Sequence, residues 1–85
     1  MKLVIENDNG IEFVDNVNFD DYYFEGVDYK SKSEVISDFM KVMNDSFGND
    51  EYMNEIKECM KNLDNVDGKW FIGFGDEGIV SVGVV

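Results

Sequence analysis

A chain of 85 residues with 19 acidic side chains against 7 lysines carries a formal charge of −12. That balance, with no arginine anywhere in the sequence, excludes direct nucleic-acid binding, because phosphates are repelled and no side chain can grip them bidentately. The length holds one hydrophobic core, so a single domain over residues 1–85 is expected, and an apolar share of 44% with seven Phe and four Tyr excludes a disordered acidic tail.

In chain order, residues 2–6 read as a strand, and Asn7-Asp8-Asn9-Gly10 supplies hairpin-turn residues, with Asn9-Gly10 suited to positive φ. A second strand comes next, its alternation placing Ile11, Phe13, Val17 and Phe19 on one face and Glu12, Asn16 and Asn18 on the other, with Asp15 interrupting the apolar side. Asp20-Asp21 turns the chain into a third, aromatic-rich strand over residues 22–30, with Gly26 at a bulge, which completes a three-stranded meander. The period then lengthens from two to 3.6. Ser31 with Glu34 three residues on has capping-box spacing and opens a helix whose apolar stripe is Val35, Ile36, Phe39, Met40, Val42, Met43 and Phe47, stopped at Gly48. Asn49 or Asp50 caps a second helix with Tyr52, Met53, Ile56, Cys59, Met60 and Leu63 inward. Asn65-Val66-Asp67-Gly68 returns the chain to a closing hairpin, residues 69–74 and 79–85.

The order βββααββ is that of an α+β domain: about five mainly antiparallel strands with two helices on one face. The opposite sheet face must then be solvated or covered by something else, which makes it a candidate interface, for a second copy among others.

Gly73-Phe74-Gly75-Asp76-Glu77-Gly78 formally matches a dinucleotide-binding fingerprint, but the residues after it are Ile/Val-rich strand instead of a helix, and two acids would meet the phosphates. A hairpin turn is the better reading. Neither Asn7-Asp8-Asn9-Gly10 nor Asn44-Asp45-Ser46-Phe47-Gly48 fits a calcium loop, since Ile5 or Met43 would stand where the first carboxylate ligand belongs. Without histidine there is no near-neutral general base and no Ser-His or Cys-His pair, so no enzyme and no cofactor are expected; an acid-catalysed hydrolase is the residual catalytic reading. Cys59 lies on the inward stripe of its helix, where an inert core thiol is expected, and four of the five methionines share such stripes. One cysteine excludes an internal disulfide, no apolar run reaches the roughly 20 residues of a bilayer-spanning helix, and Glu6 comes too early for a secretory leader, so a cytoplasmic protein without membrane contact is expected. Nine Asn, all-Lys cations and the lack of Ala, Arg, Pro, Thr and Gln accord with an AT-rich genome such as those of low-GC bacteria and their phages.

The acids are distributed unevenly. Residues 3–29 contain Glu6, Asp8, Glu12, Asp15, Asp20, Asp21, Glu25 and Asp28 and no lysine, interleaved with Phe19, Tyr22, Tyr23, Phe24 and Tyr29. Tyrosine beside carboxylate is a chemistry that grips Arg/Lys surfaces. On the second helix Glu51, Glu55 and Glu58 share an outward stripe, where only Glu58 has a lysine, Lys61, at a stabilising spacing. The expected contact set for a basic partner is therefore Asp15, Asp20, Asp21, Tyr22, Tyr23, Glu25, Asp28, Tyr29, Glu51, Glu55 and Glu58. The alternative is that these are the solvated faces of an acidic protein.

In length, charge and composition, with Asn7-Asp8-Asn9-Gly10 turning a hairpin and acidic helices following Ser31-Lys32-Ser33-Glu34, the chain resembles the small acidic inhibitors encoded by phages, including anti-CRISPR and DNA-mimic proteins. The resemblance implies a cytoplasmic protein of a bacterial or phage-infected host cell. It further implies an inhibitor that sets carboxylates in the basic nucleic-acid channel of a nuclease or CRISPR effector. Two other binding roles fit the residues: an immunity protein or antitoxin that neutralises a basic toxin, and an accessory domain dimerising through its sheet. Monomer and homodimer both stand.

Overall fold

A computed structural model describes residues 1–7, 9–75 and 80–85. Asp8, within the first expected turn, Asp76, Glu77 and Gly78, within the closing one, and Ile79, the first residue of the expected last strand, lie outside the described residues. The elements run β1 (Lys2–Asn7), β2 (Gly10–Val14), β3 (Gly26–Tyr29), α1 (Lys32–Phe47), α2 (Asp50–Met60), β4 (Trp70–Phe74) and β5 (Val80–Val84). The strands form one five-stranded antiparallel sheet in the order β2-β1-β5-β4-β3, so the class is α+β with strands, then helices, then strands.

β1 and β2 pair as expected, Val4 opposite Phe13 and Asn7 opposite Gly10, with Asn7 Oδ1 accepting from the Asn9 N–H at 2.9 Å. The meander does not form. β2 ends at Val14, and the third strand, reduced to four residues, pairs with β4 at the far edge, Asp28 opposite Ile72. Residues 15–25 are instead a crossover that carries the chain from one sheet edge to the other, with a 3₁₀ turn at Phe19–Asp21. Val17 and Phe19 thus belong to no strand.

The helices start and stop where their caps dictate. Ser31 Oγ accepts from the Glu34 N–H at 3.3 Å and donates to the Glu34 carboxylate at 2.9 Å, and Gly48 closes α1 in the left-handed conformation at φ 57°. Asn49 Oδ1 accepts from the N–H groups of Glu51 and Tyr52 at 2.9 and 3.3 Å, so Asn49 caps α2. Val35, Phe39 and Met43 of α1, at helical spacing, and Ile56 and Met60 of α2, with Leu63 just beyond it, meet Val4, Trp70, Ile72, Val80, Val82 and Val84 in one buried core. Ile36, Met40, Val42, Tyr52, Met53 and Cys59 pack around it, whereas Phe47 is 45% exposed.

Strand alternation sends Leu3 and Phe71 to the other sheet face, yet both are completely buried. The face left by the helices is therefore covered, in this region, by the crossover itself.

Candidate functional site

The crossover is anchored at both ends. Met1 and Val17 exchange backbone bonds of 3.1 and 3.2 Å, Lys2 Nζ holds Asp15 at 2.8 Å, and the Asp15 carboxylate also accepts from the Asn16 N–H at 2.7 Å. These interactions hold the Asp15 carboxyl below the usual carboxylate range, the Lys2 bond contributing most. Asn16 has φ 55°, the left-handed region that asparagine tolerates better than most residues, one residue before the Met1–Val17 pair. At the far end the Glu25 N–H donates to the Phe74 carbonyl at 2.7 Å, one residue ahead of the regular Gly26–Phe74 pair, so the chain enters β3 through an irregular step at the glycine.

Between these anchors the aromatics decide the shape. Phe71 receives Phe19, Phe24 and Tyr29 at ring separations of 5.8, 5.7 and 5.7 Å, and Tyr22 stacks on Phe24 at 6.4 Å. Gly73 leaves the hollow that Phe24 fills, since a β-carbon there would lie 2.7 Å from the ring. Much of the aromatic surplus is thus a lid on the second sheet face. What it presents outward is a corner of Asp20 and Asp21, both exposed, with Tyr23 72% exposed and Tyr22 half-buried behind it. Tyr29 is 50% exposed, but Lys69 Nζ lies 5.2 Å over its ring, so one face already holds a cation.

The structure brings Asp20, Asp21, Tyr22, Tyr23 and Glu25 onto one ribbon, with Tyr29 beside it through Phe71. It does not bring the rest there. Asp15 is at the ribbon's start, joined to Lys2. Asp28 shares the helix-side face with its partner Ile72. It borders a hollow of about 280 Å³ whose rim also carries Lys30, Asp38, Lys41 and Asp45 and whose apolar lining is Val42, Ile72 and Phe74. Lys30 Nζ meets Asp38 at 2.7 Å, which with Asp28 and Glu34 nearby raises the lysine's pKa, Asp38 contributing most. Glu51, Glu55 and Glu58 are exposed on α2, in the helix layer, across the sheet from the crossover. Glu51 complements the positive end of its own helix, and Glu58 holds Lys61 at 2.8 Å. The expected contact set is therefore divided between two sides of the molecule.

One grouping escaped the sequence. Glu6 is on the inward face of β1 beside α2, where burial pushes its carboxyl up; burial, then Glu6 and Glu55, raises the Tyr52 hydroxyl, and burial, then Glu12, raises the Cys59 thiol. The signal was present, because Glu6 follows Val4 by two residues and so shares its core-facing side. The raised thiol of Cys59 is chemically quiet.

Comparison with protein-family models, curated proteins and solved structures finds no match. The described residues contain no group of His, Cys, Asp and Glu arranged to hold a metal ion, and no helix long and apolar enough to cross a membrane. A larger, shallow hollow of about 620 Å³ at the start of α1 is lined by Ser31, Lys32, Ser33, Ile36 and Ser37. Lys32 is engaged there, donating to the Asp64 carbonyl and lying 5.4 Å over the Trp70 ring.

Proposed function

We propose that this protein acts by docking, not by catalysis: its crossover corner binds a Lys/Arg-rich surface on a nucleic-acid-processing protein and so inhibits it, in the manner of the small acidic phage-type inhibitors it resembles. The observation that carries this reading is the Asp20-Asp21-Tyr22-Tyr23 corner, where Phe19 and Phe24 are spent on holding the ribbon to the sheet and Tyr23 is left 72% exposed between carboxylates. A tyrosine has only two side-chain torsions, so it offers a large contact area at low entropy cost, and the adjacent acids supply steering and sign selection. The formal charge of −12 extends that steering over the whole molecule.

The test is an affinity capture from a low-GC bacterial host with wild-type protein and with a variant carrying Asp20→Lys and Asp21→Lys. Wild type is expected to retain a basic nuclease or effector that added duplex DNA displaces, and the variant to lose it. Truncation of Tyr23 to Ala is expected to cost about 2 kcal/mol or more, about 30-fold in Kd, as interface anchors do. Retention of the same protein by the charge-reversed variant, or retention that DNA does not compete, would overturn the proposal.

A further inference from the structure

β3 is an edge strand, and its register decides which of its peptide groups are spare. Lys30 N–H donates to the Trp70 carbonyl at 3.2 Å, and the strand partners continue as Tyr29–Phe71, Asp28–Ile72 and Val27–Gly73. Bonded and non-bonded pairs alternate along an antiparallel ladder, so Asp28 bonds inward to β4 while Val27 and Tyr29 turn their N–H and C=O groups outward. Among the described residues nothing pairs with that outer edge. Directly beside it, on the helix side, is the hollow of about 280 Å³ with an apolar lining of Val42, Ile72 and Phe74 and a mixed rim of Asp28, Asp38, Asp45, Lys30 and Lys41, in which Lys30 is already paired with Asp38 and the acids outnumber the lysines.

Resting on the docking role proposed above, we infer that the β3 edge accepts an extended, basic segment of the partner as a sixth strand, the residue opposite Asp28 being an arginine or lysine whose stem enters the hollow. An added strand lies about 4.8 Å beyond β3 and bonds to the outward groups of Val27 and Tyr29. The residue between those two bonded positions then stands opposite Asp28 and projects to the same face. An aliphatic stem over Val42, Ile72 and Phe74 with its charged end beside Asp28 and Asp45, the rim acids other than the Lys30-paired Asp38, matches both halves of a long cationic side chain. A second copy of this chain is the wrong occupant: symmetric pairing of two β3 strands centred on Asp28 would set Asp28 against Asp28, and every register would bring together two molecules each of charge −12.

The probe is the peptide acetyl-KVRVK-amide, compared with the same peptide N-methylated at both valines, which keeps charge and composition but loses the donors a strand needs. Strand addition predicts shifts centred on the Val27 and Tyr29 amides of the ¹⁵N-labelled protein, at least tenfold slower exchange of those amides, and at least tenfold weaker binding of the methylated peptide. Val27→Pro removes an outward donor without touching the β4 ladder and is expected to abolish the effect. Should that variant lose its native spectrum, Asp28→Lys tests the rim charge on an intact edge. Equal affinity of the two peptides, with shifts centred on residues 20–23, would overturn strand addition and leave the docking role standing. Absence of binding by either peptide at low salt would also overturn it, while the affinity capture judges the docking role separately.

Discussion

At Gly83 a β-carbon would collide with the edge of the Phe71 ring, and at Gly73 it would meet the Phe24 ring at 2.7 Å, but the two rings differ in what they can do about it. Phe71 is completely buried beneath the crossover, whereas Phe24 is only partly buried and sits on a segment with few backbone bonds to the sheet. Gly83→Ala is therefore expected to destabilise by about 1–3 kcal/mol, the usual range for overpacking, and Gly73→Ala by less, because Phe24 can lift away. Denaturant melts of both variants check the ranking, and the reverse order would refute this account of the second layer. Glu6 makes a prediction of opposite kind. Its carboxyl is raised by burial, so its contribution is fully present below the unfolded pKa and is lost as pH rises through the folded one; near neutrality the charged group costs stability. Glu6→Gln should melt higher than wild type at about pH 7 and equal to it at about pH 3, below the ordinary glutamate value. A gain that persists in acid would mean that desolvation of the charge is not the cause.

The helices were legible because their signals are local. Ser31 with Glu34, Gly48 and Asn49 each satisfy backbone groups within a few residues, and the inward stripe from Val35 to Met43 follows from the 3.6 period alone. Removing the cap by Ser31→Ala is expected to cost about 1 kcal/mol, and Phe39→Ala, which empties a completely buried site, about 3–5 kcal/mol. Comparable losses in the two melts would sink the claim that α1 is held mainly by its buried face. The crossover was not legible for a physical reason. Phe19 two residues after Val17, and Phe24 two after Tyr22, imitate a strand's period, but here the aromatics plug a sheet face, and the slots that receive them, Phe71 and Gly73, belong to a strand on the far side of both helices in sequence. The partner of β3 is likewise a long-range choice that no local pattern contains.

At the scale of the whole molecule, the charge acts on folding and on docking with opposite sign. The molecule measures 30 × 28 × 20 Å, so at about 0.01 M salt, where the screening length is about 30 Å, every carboxylate senses most of the others. At about 1 M the length shrinks to about 3 Å and that repulsion vanishes. Salt also weakens attraction, but the three ion pairs among the described residues are all exposed, and such pairs are typically worth about 0–1 kcal/mol each. Repulsion from a net charge of −12 outweighs them, so the melting temperature should rise with added NaCl. Affinity for a cationic partner must fall over the same range, because the same screening removes the attraction. One salt series therefore separates the two roles of the carboxylates: a melting temperature that falls with salt would mean that local pairing, not net repulsion, governs the fold, and an affinity that holds steady would mean that the acids do not face the partner.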